Sequence, residues 1–198
     1  MIEYIRGELA ELTPTEATIE AAGVGYLLGI SLNTYSALQG KREAKLFAYE
    51  SIREDAYQLF GFATKQEREL FTLLVGISGV GGQTARTILS AFTPTELVGA
   101  IQSEDVRALK AVKGIGPKAA QRIIVELKDK VLSLVGEVPA GGGATAAAPV
   151  SAAQGEATGA LTTLGFPPAI VHKTVTAILK DDPTLSVEQV IKKALKML

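Results

Sequence analysis

Apolar and polar side chains alternate over short runs in residues 1–62, and a period of two residues is typical of β-strands. Glycines form a turn signal at 23–25, between two of the clearest runs. The strand-like runs cover 2–12, 17–22, 26–32, 44–50 and 56–62. Five short strands with turn residues between them predict a small β-barrel such as an OB-fold, although a simple antiparallel meander fits the same pattern.

After residue 62 the apolar spacing changes to three and four residues, which is the spacing of an amphipathic α-helix. Thr-x-x-Glu capping boxes at 64–67 and 93–96 mark two helix starts, the second with a proline at its first helical position. Ser103 is predicted to cap a third helix, with the two acidic residues that follow it in the first turn. The segment is therefore predicted to be helical as far as Val135.

Residues 136–155 contain five glycines, seven alanines, two prolines and one charged side chain. This composition is typical of a flexible linker. Beyond it, apolar residues at helical spacing and a capping box at 186–189 predict a small helical module. The sequence thus predicts a multidomain α+β chain with a barrel at 1–63, a helical domain at 64–135, a linker at 136–155 and a small helical domain at 156–198.

The predicted helical domain contains an internal repeat with a period of 35 residues. The motif Leu-x-x-(Ile/Val)-x-Gly-(Val/Ile)-Gly-x-x-x-Ala-x-x-Ile-(Leu/Ile) runs over 74–89 and again over 109–124. Two helices joined by a short glycine-containing turn produce this pattern, which is the helix–hairpin–helix motif. A single match also fits an ordinary pair of antiparallel helices, whereas two matches in tandem favour the nucleic-acid-binding motif.

The glycines of the repeat point to anion binding. Gly79 and Gly114 are expected to end the first helix of each hairpin in a backbone conformation that is costly for other residues. Gly81 and Gly116 lack side chains, so backbone amides at the start of the next helix can approach a ligand closely. Such a helix start binds anions, and DNA phosphate is the anion that we expect here. The apolar positions that should be buried around these glycines are Val80, Ile115, Ala85 and Ala120.

Basic side chains flank the second hairpin more densely than the first. Lys113, Lys118 and Arg122 surround the second hairpin, whereas the first has Gln83 and Arg86. Tandem hairpins hold both strands of a duplex through phosphates, which makes binding independent of sequence. A solvated helix face is the alternative interpretation of each cation. The candidate DNA-contact residues are Gly79, Gly81, Gly82, Gln83, Arg86, Lys113, Gly114, Gly116, Lys118 and Arg122.

The composition excludes several classes of function. The chain has no cysteine, which excludes disulfides and thiol chemistry, and its single histidine, His172, leaves no multi-histidine metal site. No phosphate-binding Gly-x-x-x-x-Gly-Lys-(Ser/Thr) motif is present, so we expect no ATPase activity. We also expect no catalytic residue, no metal and no cofactor. Because no apolar run approaches about 18 residues and no secretory leader is evident, we expect a soluble cytoplasmic protein.

The net charge of −1 conceals an uneven distribution. Residues 1–62 carry five basic and nine acidic side chains, whereas residues 63–135 carry ten basic and seven acidic ones. The five basic and five acidic side chains of residues 136–198 cancel. The repeat therefore lies in the one basic segment of the sequence, which suits a phosphate-binding function.

The motifs resemble those of the RuvA family over essentially the whole chain. The resemblance rests on the Met-Ile-x-x-Ile-Arg-Gly start, the Gly-Val-Gly-Tyr turn, Arg-Glu-Asp at 53–55, both hairpins and Leu-Gly-Phe at 164–166. It implies an OB-fold, a tandem helix–hairpin–helix domain and a three-helix, UBA-like C-terminal domain. It also implies a homotetramer, or an octamer of two tetramers, that holds a four-way Holliday junction open and square in DNA recombination, repair and the SOS response.

The resemblance also implies partners and residue roles. The C-terminal domain would recruit RuvB, the hexameric ATPase of branch migration, and RuvC, the resolving nuclease, would be a further partner. Glu54 and Asp55 would form an acidic pin that repels phosphates at the junction centre. The sequence departs from the family at Gln83 and Pro117, where many relatives carry basic residues. The candidate partner-binding residues are Leu161, Leu164, Phe166, Val190, Ile191 and Leu195.

Two other classes of function fit parts of the sequence. A base-excision glycosylase also uses a helix–hairpin–helix motif, but it needs a catalytic aspartate and a pocket for a flipped base. Asp129 lies nine residues beyond Ala120 in a charged helical stretch, and the sequence shows no sign of such a pocket. A protein adaptor would use the barrel and the C-terminal module alone. Release of a damaged base would support the glycosylase, and failure to bind a four-way junction would support the adaptor.

Overall fold

The computed structural model describes residues 1–135 and 149–197. The chain begins with a closed five-stranded barrel in which the strand order is β1-β2-β3-β5-β4. The strands are β1 (Tyr4–Leu12), β2 (Glu16–Ala21), β3 (Val24–Ile30), β4 (Glu43–Ile52) and β5 (Tyr57–Phe62). Paired strands are antiparallel except β3 and β5, which are parallel. Closure of the sheet confirms the predicted barrel and excludes the meander.

The barrel follows from the period-two pattern of its strands. Alternate side chains point inward, and Ile19, Leu28 and Leu46 are completely buried. Gly7 allows β1 to approach β2 closely, because a Cβ at this position would lie 1.9 Å from the carbonyl oxygen of Glu20. A glycine is therefore required where the sheet coils tightly enough to close.

A short helix, α1 (Leu32–Leu38), follows β3, and the sequence pattern does not predict it. The strand predicted at 26–32 ends two residues early because Ser31 caps this helix, its hydroxyl accepting a hydrogen bond from the Thr34 amide at 3.0 Å. The side-chain amide of Asn33 donates to two backbone carbonyls at the end of a later helix, at 2.6 and 2.8 Å. The helix thus connects the barrel to the segment that follows it.

Residues 65–135 are mostly helical, as the change of period predicts. The helices are α2 (Lys65–Val75), α3 (Gly82–Ala91), α4 (Pro94–Gln102), α5 (Val106–Lys110) and α6 (Pro117–Val135). The capping box at 93–96 is confirmed. The prediction that Ser103 caps a helix is wrong, because its hydroxyl donates to the Gly99 carbonyl at the end of α4 and Asp105 caps α5. The Asp105 carboxylate accepts from the first turn of α5, where an acidic group is also favoured by the helix dipole.

The barrel and the helices share a hydrophobic core across the predicted boundary at residue 63. Phe60 and Phe62 of β5 pack against Phe71 of α2, with the ring centroids 4.8 Å apart in both pairs. Tyr49 of β4 meets the same Phe71 ring edge-on, at a centroid distance of 5.0 Å. The barrel and helices α2–α6 accordingly belong to one compact unit.

A buried carboxyl group joins the same two parts of the chain. Glu67, in the first turn of α2, accepts hydrogen bonds from the hydroxyl groups of Ser31 and Thr34, and all three residues are buried. The predicted capping box at 64–67 is therefore only half formed: the Thr64 hydroxyl accepts from the Glu67 amide at 3.2 Å, but the Glu67 carboxyl is bound to the two hydroxyl groups at the start of α1. Burial raises the pKa of the Glu67 carboxyl, and its hydrogen bonds oppose that shift.

Residues 149–197 lie in a second compact unit. Its helices are α7 (Pro149–Thr163), α8 (Pro168–Asp181) and α9 (Val187–Ala194). They enclose a small apolar core that includes Leu161, Val175 and Val190. The predicted capping box at 186–189 is formed at the start of α9, which confirms the helical module.

The predicted linker at 136–155 extends too far toward the C-terminus. Residues 149–155 form the first turns of α7, because alanine favours the helix and Pro149 occupies the first helical position, where no N–H is needed. A composition rich in alanine is thus compatible with a helix as well as with a linker. The remaining positions of the predicted linker, 136–148, lie outside the described residues.

Substitution of Glu67 tests its contribution to the joint between barrel and helices. Glu67→Leu removes the acceptor of two buried hydroxyl groups, and we expect a loss of about 1–3 kcal/mol in the free energy of unfolding. Urea denaturation of the full chain measures this loss. Glu67→Gln is the matched control, because its amide still offers an acceptor and a donor to the two hydroxyl groups. A loss no larger for leucine than for glutamine would contradict the role of these hydrogen bonds.

The pH dependence of stability checks the same group independently. The folded state holds the proton of Glu67 more tightly than the unfolded state does, because burial raises the folded pKa. The favourable contribution is therefore complete below the unfolded pKa and decreases as the pH rises through the folded pKa. Over that rise we expect the wild-type chain to lose stability relative to Glu67→Gln. A gain in relative stability would contradict the raised pKa.

Candidate nucleic-acid interface

The two copies of the repeat fold into hairpins with equivalent backbone hydrogen bonds. The amides of Val80 and Ile115 donate to the carbonyls three residues earlier, at 2.9 and 3.1 Å. The amides of Ala85 and Ala120 donate to the carbonyls four residues earlier, at 2.9 and 3.0 Å. All four side chains are buried, as the repeat predicts. The 35-residue period of the sequence is therefore also a period of the structure.

Gly79 and Gly114 lie in the hairpin turns, a few residues after the first helices have ended, because α2 is capped by Gly76 and α5 by Ala111. The prediction that these two glycines end the helices is therefore wrong. Their φ angles are 89° and 91°, in the left-handed region that disfavours side chains. This conformation turns the chain sharply, so that the second helix can start within three residues. Both glycines thus have the costly backbone conformation that the sequence predicts, and the path of the backbone through the turn requires it.

Gly81 and Gly116 need a different explanation, because the packing of the chain does not require them. Gly81 precedes α3 with a φ of −83°, which any residue can adopt, and no side chain caps this helix. Within the described residues, a Cβ at Gly81 or Gly116 would lie in open space, more than 4 Å from every atom outside the adjacent residues. Serine or aspartate at such a position would stabilise the helix better than glycine. The missing side chains instead leave the first amides of α3 and α6 accessible to a ligand.

Gly82 is a glycine because of packing, which changes its predicted role. A Cβ on Gly82 would lie 2.7 Å from the ring of Phe60 in β5. The first turn of α3 therefore rests directly on the barrel. Gly82 attaches the first hairpin to the barrel, and its side-chain position faces protein rather than a phosphate.

Exposed cations flank the second hairpin. Lys113 lies in its turn and Lys118 in the first turn of α6, and both residues are exposed. Gln83 occupies the position of Lys118 in the first copy of the repeat and is exposed without a charge. Positive charge at the amides of the second hairpin can strengthen the binding of an anion there.

Both candidate arginines are bound to backbone carbonyls. The guanidinium of Arg86 donates to the carbonyl of Thr15 at 2.9 Å, and that of Arg122 donates to the carbonyl of Ser78 at 2.8 Å. The partners are 71 and 44 residues apart in the chain. Sequence spacing carries no signal for such contacts, and both arginines thus have structural bonds that the sequence does not predict.

Arg53 is a further cation beside the first hairpin, and it is absent from the predicted contact residues. It is exposed and lines a concavity of about 480 Å³ together with residues 75–81. The barrel therefore supplies positive charge to the hairpin that has none in its own turn. The Arg-Glu-Asp motif at 53–55 is the signal that could have indicated this residue.

The turn between β4 and β5 carries two carboxylates at its tip. Glu54 and Asp55 lie between Arg53 and Ala56, whose backbone groups exchange hydrogen bonds of 2.8 and 3.4 Å. Both acidic residues are exposed. The expected tight hairpin with projecting acidic side chains is therefore formed.

The stem of this acidic turn is attached to the start of the chain. The hydroxyl of Tyr57 donates to the Glu50 carboxylate at 3.0 Å, and the Ile2 amide donates to it at 2.8 Å. The bond from the Ile2 amide, followed by that from Tyr57, lowers the pKa of the Glu50 carboxyl. Ile52 and Tyr57 at the stem are 73% and 60% exposed, so the acidic tip stands on an apolar surface.

The C-terminal candidates include residues of the module's own core. Leu161 and Val190 are completely buried, which removes them from the predicted partner-binding set. Phe166 and Ile191 are partly buried against the same core. Apolar side chains at helical spacing first fill the interior of so small a domain, and the sequence pattern alone does not separate interior from surface.

Apolar residues remain on the surface of this module. Leu164 and Leu195 are 61% and 44% exposed, as a partner contact requires. Ile170 and Met197 are also more than half exposed, although the apolar spacing of the sequence does not distinguish them. These four side chains are the candidates for contact with another protein.

Other classes of site are not formed by the described part of the chain. Within residues 1–135 and 149–197, no three histidine, aspartate or glutamate side chains are placed to hold a metal ion. No helix in the same ranges is long and apolar enough to cross a membrane. Asp129, which a glycosylase would need, is exposed on α6 and therefore does not lie in a closed pocket for a base.

Comparisons with known proteins relate this architecture to a family. Residues 1–61 match the RuvA N terminal domain, residues 71–129 match a SAM-like helix-hairpin-helix tandem, and residues 152–198 match the RuvA C-terminal domain. A protein from Bacteroides thetaiotaomicron, named Holliday junction branch migration complex subunit RuvA, is 58% identical over 202 residues, which cover all of both chains. The chain belongs to the RuvA family.

Other RuvA proteins are similar over the same extent. The relative from Bacteroides fragilis is 58% identical over 201 residues, and that from Porphyromonas gingivalis is 50% identical over 207 residues. In each case the match covers all of both chains. The two matched RuvA domains correspond to the barrel and the C-terminal module, and the matched helix-hairpin-helix tandem corresponds to the hairpins. Together with the full-length relatives, these matches confirm the resemblance inferred from the sequence.

Proposed function

We propose that this chain binds four-way Holliday junction DNA independently of base sequence, holds it open and square, and acts as the DNA-binding subunit of a branch-migration complex. The observation that carries the proposal is the pair of hairpins in which Gly81 and Gly116 leave the amides of a helix start uncovered. Full-length relatives that are 50% and 58% identical carry the corresponding name, which supports the proposal.

The hairpins bind phosphate through groups that every nucleotide presents. Amides at the N-termini of α3 and α6 donate to phosphate oxygens, and the positive end of each helix dipole favours the anion. Lys113 and Lys118 add charge at the second hairpin and Arg53 at the first. Because these contacts involve the backbone of DNA and not the base edges, they select the shape of the DNA rather than its sequence.

Four-fold assembly gives the acidic turn its role. In a homotetramer, the Glu54 and Asp55 carboxylates of four copies gather around one axis, and their fields act together within a Debye length of about 10 Å at 0.1 M salt. Phosphates that enter the centre are repelled, and the hairpins that hold the arms offset this repulsion. An open, square junction keeps its phosphates away from the central carboxylates while its arms stay bound to the hairpins. A linear duplex across the centre would instead bring phosphates close to those carboxylates.

The C-terminal module provides the contact with the motor of the complex. We assign recruitment of the RuvB ATPase to its exposed apolar residues, which the module's own core leaves uncovered. RuvC, the resolving nuclease, acts on the same junction as a further partner. The subunit itself carries no ATPase function in this proposal.

A paired titration tests the proposed function. A synthetic four-way junction and a linear duplex of the same sequence are titrated with the wild-type chain and with Gly116→Asp. We expect Gly116→Asp to abolish junction binding without loss of thermal stability, because its carboxylate covers the amides and repels phosphate but can cap the helix. Gly99→Asp, in the exposed middle of α4, is the matched control and should bind normally. Normal binding by Gly116→Asp would contradict the proposal.

Lys118→Ala, in the same assay, should weaken binding less than Gly116→Asp. Removal of one phosphate contact should reduce the slope of log K against log salt by about one.

Neutralisation of the acidic turn tests its role in discrimination. Glu54→Gln combined with Asp55→Asn should retain or raise junction affinity and should increase binding to linear duplex, because central repulsion is lost. The measured quantity is the ratio of junction to duplex affinity at fixed salt. Glu8→Gln with Glu11→Gln is the matched control, because it removes two exposed charges from β1. An unchanged ratio in the Glu54 and Asp55 variant would identify the pair as an ordinary solvated turn.

Surface substitutions in the C-terminal module test recruitment of the motor. Leu164→Asp with Leu195→Asp should retain junction binding and lose stimulation of RuvB ATPase activity, because charge prevents burial against a partner. Ala177→Asp, at an exposed position of α8, is the control and should stimulate normally. Full stimulation by the double variant would exclude these residues from the contact.

A further inference from the structure

A single side chain links the two hairpins directly. Arg122 lies on α6, which begins at the second hairpin, and its Nη1 donates to the Ser78 carbonyl in the turn of the first hairpin at 2.8 Å. Its Nε also lies 3.9 Å from the carboxylate of Glu126 one turn later on α6. The guanidinium therefore links the second helix of one hairpin to the turn of the other, with an acidic group at the limit of ion-pair distance.

The accepting carbonyl occupies a sensitive place in the first hairpin. Ser78 immediately precedes Gly79, whose φ of 89° produces the turn. The peptide group between these residues is followed two residues later by Gly81, at the start of α3. A hydrogen bond that holds this peptide plane consequently fixes the direction in which the first hairpin presents its amides.

The link is not a by-product of the repeated motif. By the period of 35 residues, the counterpart of Arg122 is Thr87, whose hydroxyl donates to the Gln83 carbonyl within its own helix at 2.8 Å. The counterpart of Ser78 is Lys113, an exposed residue. The first copy of the motif thus makes a local bond at the position where the second copy makes a bond to the other hairpin.

We propose that Arg122 is a positioning residue that sets the spacing and orientation of the two phosphate sites, so that both hairpins can bind one DNA molecule at once. The inference rests on the proposed function. Once one hairpin holds a phosphate, binding at the other is intramolecular and gains affinity only if the geometry matches the DNA. Arg122 therefore contributes to two-site binding through Ser78 rather than through a phosphate of its own.

A double-mutant cycle distinguishes positioning from direct contact. Arg122→Met and Lys118→Met are made in the wild-type chain and in Gly81→Asp, which disables the first hairpin. A synthetic four-way junction is titrated at a series of low salt concentrations. Lys118 is the matched control, because it is an exposed cation one turn earlier on the same helix.

The two residues should behave differently. Arg122→Met should weaken junction binding about tenfold in the wild-type chain, as expected for coupled groups, and should leave the salt slope unchanged. In the Gly81→Asp chain, Arg122→Met should reduce junction affinity little further, because the spacing of the two hairpins no longer matters when one of them is disabled. Lys118→Met should weaken binding in both chains and reduce the salt slope by about one.

The opposite pattern would overturn the inference. An Arg122→Met variant with a salt slope reduced by about one, and with an equal loss in the Gly81→Asp chain, would identify a direct phosphate contact. Unchanged affinity in the wild-type chain would show that the link has no role in binding. Failure of the wild-type chain to bind the junction would instead contradict the proposed function itself.

Thermal unfolding of each variant excludes a general loss of structure. If Arg122→Met does not fold, Arg122→Lys replaces it in the cycle, since lysine keeps the charge but lacks the planar fork that reaches Ser78. Positioning predicts that Arg122→Lys loses affinity in the wild-type chain only. Full affinity of this variant would show that charge alone is required.

Discussion

A buried carboxyl group determines how two differently built parts of the molecule meet. Glu67 lies in the first turn of α2, yet its hydrogen-bond donors, Ser31 and Thr34, belong to the start of α1, the short helix between strands β3 and β4 of the barrel. Groups removed from water tolerate little misalignment, because an unsatisfied polar atom in the interior is costly. The bonds therefore favour one placement of α2 on the barrel. Since α2 leads into the first hairpin, the position of the hairpin relative to the acidic turn follows from this joint.

In the proposed function, selectivity comes from opposing interactions that are each unspecific. Backbone amides of the hairpins attract any phosphate, and the carboxylates of Glu54 and Asp55 repel any phosphate. Under that proposal neither interaction reads a base, but together they distinguish DNA that avoids the centre of a tetramer from DNA that crosses it. A recognition surface of this kind depends on geometry, and this explains why so many of its contacts hold the backbone in place: Arg86 on Thr15, for example, joins α3 to the barrel.

The sequence predicts the parts of the structure that local spacing controls. The barrel strands, the capping box at 93–96 and the hairpin glycines follow from the preferences of short segments. The bonds of Glu67 and Arg122 connect residues more than 30 positions apart, and no periodicity reports them. In the C-terminal module the apolar residues are predicted, but the distinction between Leu161 inside and Leu164 outside depends on how three helices pack.

The contact between Gly82 and Phe60 makes the two hairpins non-interchangeable. Residue 117, the counterpart of Gly82 in the second copy, is proline, and any Cβ at position 82 would overlap the Phe60 ring. A chimera that carried two second hairpins could not seat its first one on the barrel. The first copy of the motif packs against the barrel, and the Phe60 ring therefore restricts residue 82 to glycine. The other copy, with an exposed turn, can vary its surface charge without disturbing the fold.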